Sequence, residues 1–177
     1  GTVYVNAEVE ASAAANPVNP SNLVAAWQQD RWSDGGAQGL VAAASFDGGL
    51  TWTPSAPPFS ACSGATGAGG TPYQRATDPW VTFAADGTAY FMALAFTGPS
   101  FGANSANAML VARSTDGGRT WSAPVTLIAD AGGTHFNDKN AIAADATDAR
   151  YVYAAWDRLA QGGGGPAYFT RTTNGGQ

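Results

Sequence analysis

The chain is poor in the side chains that bind metals or form disulfides. It has one cysteine, Cys62, and one histidine, His135, among 177 residues. A single cysteine excludes an internal disulfide and a cysteine-based metal site, so we interpret Cys62 as a small buried or loop thiol. His135 has no second histidine at a ligand spacing, which indicates a loop residue and not a metal ligand. We therefore expect neither a bound metal ion nor a cofactor.

Charge is also scarce, at 12% of the residues, and the net charge is −5. The eight lysines and arginines are scattered singly, so no basic stripe is available to neutralise phosphates and we expect no nucleic-acid partner. No cluster of like charge indicates a membrane surface, and no apolar run approaches the length of a membrane span. No leader peptide is visible, and the sequence begins and ends like a fragment of a longer protein. We therefore expect the rest of that parent chain, the remaining blades of the propeller predicted below, as partners.

Glycine and proline, by contrast, are abundant, with 23 and 10 residues, which favours a loop-rich all-β protein. Some of the glycines belong to a repeat. Ser45–Trp52 reads SFDGGLTW, Ser114–Trp121 reads STDGGRTW, and Thr172–Gln177 reads TTNGGQ, with Asn174 in place of the aspartate. We call these three segments the glycine turns. Their spacing is close to the length of one propeller blade.

Short apolar runs bounded by Gly, Pro, Asn and Asp precede each glycine turn in the same order and are typical of strands. No segment has the spacing of an amphipathic helix. Three strands before each turn and one after it, predicted at Thr51–Thr53 and Thr120–Ile128, make a four-stranded antiparallel meander. We therefore expect an all-β partial β-propeller with the turns between strands three and four. Residues 1–54 form the first blade, 55–130 the second and 131–177 a truncated third.

The glycine turns resemble the Asp-box of bacterial neuraminidase repeat proteins, whose motif is Ser/Thr-x-Asp-x-Gly-x-Thr-Trp. The motif is filled by Ser45, Asp47, Gly49, Thr51 and Trp52, and again by Ser114, Asp116, Gly118, Thr120 and Trp121. The stretches NPSNLVAAWQQDRW and DPWVTFAADGTAYFMAL are similar to bacterial sialidase-like proteins. This resemblance implies a propeller of the sialidase-like glycoside hydrolase type, which acts on a glycan or glycoconjugate outside the cell or in the periplasm.

The turn motif itself is predicted to be structural. An aspartate accepts hydrogen bonds from backbone N–H groups in a tight turn, glycine permits positive φ, and the tryptophan covers the turn. We therefore expect Asp47 and Asp116 to close turns and not to be catalytic. The tryptophans predicted in the core are Trp27, Trp52, Trp121 and Trp156. Trp80 is either a core residue or, like Trp32, a surface on which a sugar ring stacks.

Strand order places most of the remaining polar residues at one end of the blades. Consecutive strands of a meander reverse direction, so the loop between strands two and three lies where strand one begins, and the glycine turns lie at the other end. The face opposite the turns carries Asp30, Arg31, Trp32, Arg75, Asp78, Lys139 and Arg158, together with Glu8 and Glu10. Each Asp–Arg pair taken singly is explained by a structural ion pair. Taken together, these groups indicate a binding surface.

Sialidases, which the chain resembles, hold a sugar carboxylate with three arginines and use a tyrosine nucleophile backed by a glutamate, with an aspartate as acid/base. No Arg-Ile-Pro-like sequence precedes the first glycine turn, and no Tyr-Glu pair can be assigned. The candidate substrate-binding residues are Arg31, Arg75, Arg158, Lys139 and Trp32, and the candidate proton donors are Asp78 and Asp30. The chain alone is not expected to be active. A non-catalytic propeller that binds glycan or protein and a purely structural module remain alternatives.

An open arc of fewer than three complete blades leaves strand edges unpaired. We therefore expect the isolated chain to be marginally stable, or to associate with itself.

Overall fold

Strands dominate the computed structural model, which describes residues 1–66 and 72–177. They are β1 (Val9–Asn16), β2 (Asn19–Gln29), β3 (Gly39–Ser45), β4 (Thr53–Ser55), β5 (Arg75–Phe83), β6 (Ala89–Thr97), β7 (Ala106–Ser114), β8 (Val125–Ala131), β9 (His135–Ala144), β10 (Val152–Ala160) and β11 (Ala167–Thr172). The one helix in the described ranges is a single 3-10 turn at Ala61–Ser63. No helix of residues 1–66 and 72–177 is long and apolar enough to cross a membrane. The predicted all-β class is confirmed.

The strands form three antiparallel sheets: β1 to β4, β5 to β8, and β9 to β11. Within each sheet, neighbours in sequence are neighbours in space, as in a meander. The fourth strands of the first two sheets begin at Thr53 and Val125, later than predicted. The reason is that Thr51 and Thr120 still belong to the glycine turns and donate back to Asp47 and Asp116.

Two hydrophobic cores lie between the sheets, and β6 contributes to both. Phe91 and Ala93 face the first sheet, whereas Tyr90 and Met92 face the third. Burial on both faces explains why the sequence of β6 is continuously apolar instead of alternating. Phe91 is fully buried, and a side chain of this size contributes about 1.5–3 kcal/mol on burial.

The first glycine turn closes through its own side chains. The Ser45 hydroxyl donates to Asp47 Oδ1 at 2.8 Å and accepts the Gly49 N–H at 2.8 Å. Asp47 also accepts the N–H and the hydroxyl of Thr51, at 2.9 and 2.6 Å. Hydrogen bonds from Thr51, with its hydroxyl as the largest cause, lower the pKa of Asp47 to about 2. Gly48 and Gly49 have φ of 74° and 95°, a conformation that a residue with a Cβ atom seldom adopts.

The other two turns repeat these contacts. Asp116 accepts from the Ser114 hydroxyl at 2.7 Å and from the Thr120 N–H and hydroxyl at 2.9 and 2.6 Å. In the third turn the Thr172 hydroxyl donates to Asn174 Oδ1 at 2.7 Å. An amide oxygen therefore replaces the carboxylate oxygen without loss of the contact.

The tryptophans divide between the cores and the surface. Trp156 is buried, and Trp121 packs against the first core, as predicted. Trp52 is 42% exposed, so its prediction as a core residue is wrong. It covers its own turn by donating to the Gly49 carbonyl at 3.0 Å, but the face of the first sheet on which it lies is uncovered. Trp80 is 45% exposed and is therefore not a core residue either, whereas Trp27 is half-buried.

One further prediction of local structure is wrong. His135 begins β9 and is not a loop residue, because its backbone pairs with Ala160 across the sheet. Cys62 is exposed in the 3-10 turn, so of the two alternatives for this thiol the structure agrees with the loop thiol and not with the buried one. The Cys62 thiol donates to the Gln38 carbonyl at 2.9 Å.

Candidate functional site

A cavity of about 670 Å³ opens at the end of the sheets opposite the glycine turns. The register of β6 shows this separation, since Phe96 pairs with Arg75 at the cavity end and Ala89 pairs with Ser114 at the turn end. Five of the seven candidate residues line the cavity: Arg31, Trp32, Arg75, Asp78 and Lys139. Strand order alone had placed them on this face.

The first strand of each sheet presents a charged side chain to the cavity from a backbone bulge. Glu10 in β1, Asp78 in β5 and Lys139 in β9 have left-handed φ of 55°, 54° and 53°. The strand register slips at each of these positions. Residues other than glycine seldom adopt this conformation, and bulges re-aim side chains beside functional sites. Because β5 contacts both β1 and β9, the three equivalent side chains converge on one space.

A directional chain of hydrogen bonds joins two of these bulges. Gln28, which is fully buried, donates through Nε2 to Glu10 and to Thr77 Oγ1, the latter at 2.9 Å. Thr77 donates in turn to Asp78 Oδ1 at 2.8 Å. At the other end, Arg31 Nη1 donates to Glu10 at 3.1 Å and to Gln28 Oε1 at 3.2 Å. Every donor in this chain of contacts faces an acceptor. The first sheet therefore fixes the orientation of the Asp78 carboxyl group.

The environment of Asp78 raises the pKa of its carboxyl group. Burial raises the pKa of Asp78, and the nearby charges of Glu10 and Asp138 raise it further, whereas the Thr77 hydrogen bond and the charge of Lys139 lower it. The net direction is upward. A carboxyl group in this environment keeps its proton to higher pH than an exposed aspartate does, which is the property that a general acid needs.

Arg75 lines the cavity, but most of its donors are already used. Nη1 donates to Asp34 at 2.9 Å, and Nη2 donates to the Gly35 and Gly36 carbonyls, the second at 3.2 Å. The guanidinium also lies 4.4 Å from the ring centroid of Trp32. The pKa of Asp34 is lowered, mainly by the hydrogen bond from Arg75. Arg75 therefore anchors the loop between β2 and β3, and Trp32 offers at most one ring face to a ligand.

Arg31 and Lys139 are the cations that remain free to bind a ligand. Arg31 uses only Nη1 for contacts within the part of the chain that the structure describes, and its side chain is 32% exposed. Lys139 is exposed, and its ammonium group has no hydrogen-bond or ion-pair partner among residues 1–66 and 72–177. The cavity thus combines two available cations with a carboxyl group whose pKa is raised.

Comparison with known proteins identifies the architecture. No protein-family model matches the chain, and no curated protein sequence matches it. A Hadza microbial sialidase superposes with a TM-score of 0.68 at 19% identity, over 97% of this chain and 36% of that one. The α-L-arabinanase of Penicillium chrysogenum superposes with a TM-score of 0.63 at 15% identity, over 100% and 53% of the two chains.

A third solved structure agrees with these two. The α-L-arabinofuranosidase of Fusarium graminearum superposes with a TM-score of 0.54 at 16% identity, over 98% of this chain and 51% of that one. This is a β-propeller fold. The three sheets are blades, and the chain spans between about a third and a half of the length of these proteins. At such identities the likeness concerns the fold alone.

Two candidate residues lie outside the cavity. The Asp30 carboxyl accepts the Asn6 N–H at 2.8 Å, which ties the N-terminal segment to the first blade. Arg158 pairs with Asp130 of the second blade, with Nη2 at 2.5 Å and Nε at 3.0 Å from the two carboxylate oxygens. This contact lowers the pKa of Asp130. Arg158 therefore joins two blades and does not face the cavity.

Sequence analysis did not identify Gln28 and Thr77 as parts of the site. One signal was available for Gln28. It follows Val24 and Ala26 on the face of β2 that packs against the second blade, and a long polar side chain at such a position requires a buried partner. Thr77 carried no comparable signal, because threonine is common in strands.

Proposed function

We propose that the cavity binds a glycan and that the chain is part of a sialidase-like, Asp-box glycoside hydrolase, with Asp78 as the proton donor. The observation that carries this proposal is the convergence of Glu10, Asp78 and Lys139 from equivalent bulges in three blades. The fold likeness to a sialidase, an α-L-arabinanase and an α-L-arabinofuranosidase supports a glycan ligand. A glycan ligand also fits an extracellular or periplasmic location.

A buried carboxyl group with a raised pKa, such as that of Asp78, suits the role of a general acid. In glycoside hydrolysis a carboxylic acid protonates the oxygen of the leaving group while positive charge develops on the sugar ring. Burial raises the pKa of Asp78, and the Thr77 hydroxyl orients its carboxyl group. Glu10, ion-paired with Arg31, supplies negative charge on the same cavity wall.

Arg31 and Lys139 would bind the polar substituents of the sugar. A guanidinium with a free edge matches a carboxylate at two points, and an ammonium accepts many geometries. A sugar that carries a carboxylate therefore fits this cavity better than a neutral one. The contribution of Arg75 is indirect, through the loop that it anchors.

Titration of the 177-residue chain with 3′-sialyllactose and with arabinobiose tests the proposal. We expect saturable NMR shift changes at Arg31, Asp78 and Lys139, with the stronger binding for the sialylated sugar. Lys139→Ala should weaken that binding about tenfold or more, as expected for loss of a charge-assisted contact. Arg119→Ala, which removes a cation from a glycine turn at the other end, should leave it unchanged. Absence of saturable binding to either sugar contradicts the proposal.

A second candidate function is a propeller that binds glycans without hydrolysing them. It is favoured by the engagement of Arg75 and Arg158 in contacts within the chain, which leaves one arginine where a sialidase uses three. Hydrolysis of aryl glycosides by the full-length protein separates the two functions, because the chain alone is not expected to be active. Turnover that is lost in Asp78→Asn and retained in Asp86→Asn, a change at the opposite end of β5, supports the enzyme. Binding without any turnover supports the second function.

A further inference from the structure

The bulge at Asp78 is held by both neighbouring blades. From the first blade, Gln28 acts on the carboxyl group through the Thr77 hydroxyl. From the third blade, Asn140 Nδ2 donates to the main-chain carbonyl of Asp78 at 3.0 Å. The two contacts act on different parts of the residue, since one orients the side chain and the other holds the backbone that carries it.

The backbone of this bulge depends on its surroundings. The strand register slips between Thr77 and Trp80, so the bulge consists of Asp78 and Pro79. Pro79 has no N–H group to donate to a neighbouring strand, and Asp78 has a left-handed φ of 54°. A residue other than glycine keeps this conformation only where the structure around it fixes it. The contact from Asn140 is one that can do so.

Asn140 differs from its counterparts in the other two blades. The residue that follows the left-handed one is Ala11 in the first bulge, Pro79 in the second and Asn140 in the third. Neither alanine nor proline has a side chain that donates a hydrogen bond. Asn140 is 4% exposed, and its Oδ1 accepts no hydrogen bond from residues 1–66 and 72–177. Within those ranges, the Asp78 carbonyl is the one polar partner of this buried amide.

We propose that Asn140 is a positioning residue for the proton donor, because it fixes the backbone of the Asp78 bulge and so keeps the carboxyl group beside the Thr77 hydroxyl. That Asp78 donates a proton rests on the proposed function, whereas the effect of Asn140 on the carboxyl group does not. Without this contact the bulge relaxes and water reaches the carboxyl group. Burial is the largest cause of the raised pKa of Asp78, so that pKa should fall towards its ordinary value of 3.8.

Asn140→Ala in the full-length protein tests this role. Alanine occupies the equivalent position in the first blade, Ala11, so the substitution is compatible with a bulge. Carbon-detected NMR, with the Asp78 carboxyl signal assigned by its absence in Asp78→Asn, should show a pKa that is lowered towards 3.8. The intraresidue NOE between the N–H and Hα protons of Asp78, which is strong at positive φ, should weaken.

Asn22→Ala is the matched control. Asn22 is also buried, and its Nδ2 donates to a carbonyl of the next blade, that of Gly117, at 3.0 Å. This contact lies at the glycine-turn end, so its loss should lower stability without changing the pKa of Asp78. Displacement of Lys139, the neighbour of Asn140, would act in the opposite direction, because its charge lowers the pKa of Asp78. A decrease in Asn140→Ala therefore reports on the Asp78 bulge itself.

Hydrolysis of aryl glycosides supplies a second measurement. Asn140→Ala should lower kcat about tenfold to a hundredfold, because the proton donor is misplaced. KM should change little, because Arg31 and Lys139 keep their charges, and Asn22→Ala should retain the kcat of the wild type.

The outcomes separate this role from the proposed function. An Asp78 pKa that is unchanged in Asn140→Ala, one that changes equally in Asn22→Ala, or an unchanged kcat of Asn140→Ala beside an active wild type would overturn the positioning role. A lowered pKa in a protein that hydrolyses no glycoside supports the hold of Asn140 on the carboxyl group and contradicts the hydrolase function instead.

Discussion

Thr77 donates its hydroxyl proton to Asp78 at 2.8 Å while it accepts the Gln28 amide of the neighbouring blade at 2.9 Å. The carboxyl group in the cavity is thus oriented by a residue of another blade, two contacts away. Any change in how the first two blades pack is transmitted to Asp78 through this hydroxyl. The site therefore depends on the blade contact as well as on the bulge.

Thr77→Val should raise the pKa of Asp78 further. The substitution keeps the shape of the side chain but removes the hydrogen bond that favours the carboxylate form. It also leaves the Gln28 amide short of an acceptor, which costs about 1–3 kcal/mol of unfolding free energy. Carbon-detected NMR titration of the Asp78 carboxyl measures the pKa. Thr77→Ser keeps the hydroxyl and should stay close to the wild type. An unchanged pKa in Thr77→Val means that the hydroxyl does not donate to Asp78.

Asp78→Asn should increase stability at neutral pH. The pKa of Asp78 is raised in the folded state, so ionisation above that pKa is less favourable in the folded chain than in the unfolded chain. The stability that the protonated carboxyl group contributes is fully present below its unfolded value of 3.8 and is lost as pH rises through the folded pKa. Asparagine tolerates the left-handed backbone and accepts from Thr77 as well.

Urea denaturation at several pH values measures this difference. The stability gap between Asp78→Asn and the wild type should narrow as pH falls towards 3.8. Asp86→Asn, in an exposed turn, controls for the loss of one negative charge. A variant less stable than the wild type at neutral pH would show that ionised Asp78 is not disfavoured by folding.

Asp47→Ala should destabilise the first glycine turn at neutral pH. The pKa of Asp47 is depressed to about 2, so its stabilising contribution is present above the unfolded value of 3.8 and is lost as pH falls through about 2. The difference in urea midpoint between wild type and variant should shrink in that window. The matched change Asn174→Ala, in the turn with an amide, should show no such dependence on pH. A gap that is constant from neutral pH to about pH 2 argues against a role for the charge.

Gly118→Ala should cost more stability than Gly49→Ala. The two glycines occupy the same place in consecutive turns and have φ of 92° and 95°, so the strain in backbone conformation is matched. Only at Gly118 would the new Cβ overlap a side chain of the preceding blade, that of Val24. Overpacking of this kind costs about 1–3 kcal/mol. Equal unfolding free energies for the two variants would mean that the first blade accommodates the new Cβ beside Val24 at no cost.

Much of the fold could be predicted from the sequence because its determinants are local. The repeated Asp-Gly-Gly turns fix where strands three and four reverse, and strand parity then places Arg75 and Asp78 at the other end. The bulges could not be predicted, since nothing in the sequence around Glu10 or Lys139 requires a residue with left-handed backbone conformation.

The carboxylate partners of Arg75 and Arg158 could not be predicted from the sequence either. Arg75 is held by a carboxylate 41 residues away in the sequence, and Arg158 by one 28 residues away. Which carboxylate each arginine meets is decided by the packing of loops and blades, which a local pattern does not contain.

The three bulges share one backbone conformation but carry chemically different side chains. Each one turns the chain in the same way, yet one carries a carboxylate of four heavy side-chain atoms, one a longer carboxylate and one an amine. A substitution at any of these positions can therefore alter what the cavity recognises while the blades around it keep their shape. New ligand preferences could arise at this end of the molecule by exchanging single residues on a frame that remains unchanged.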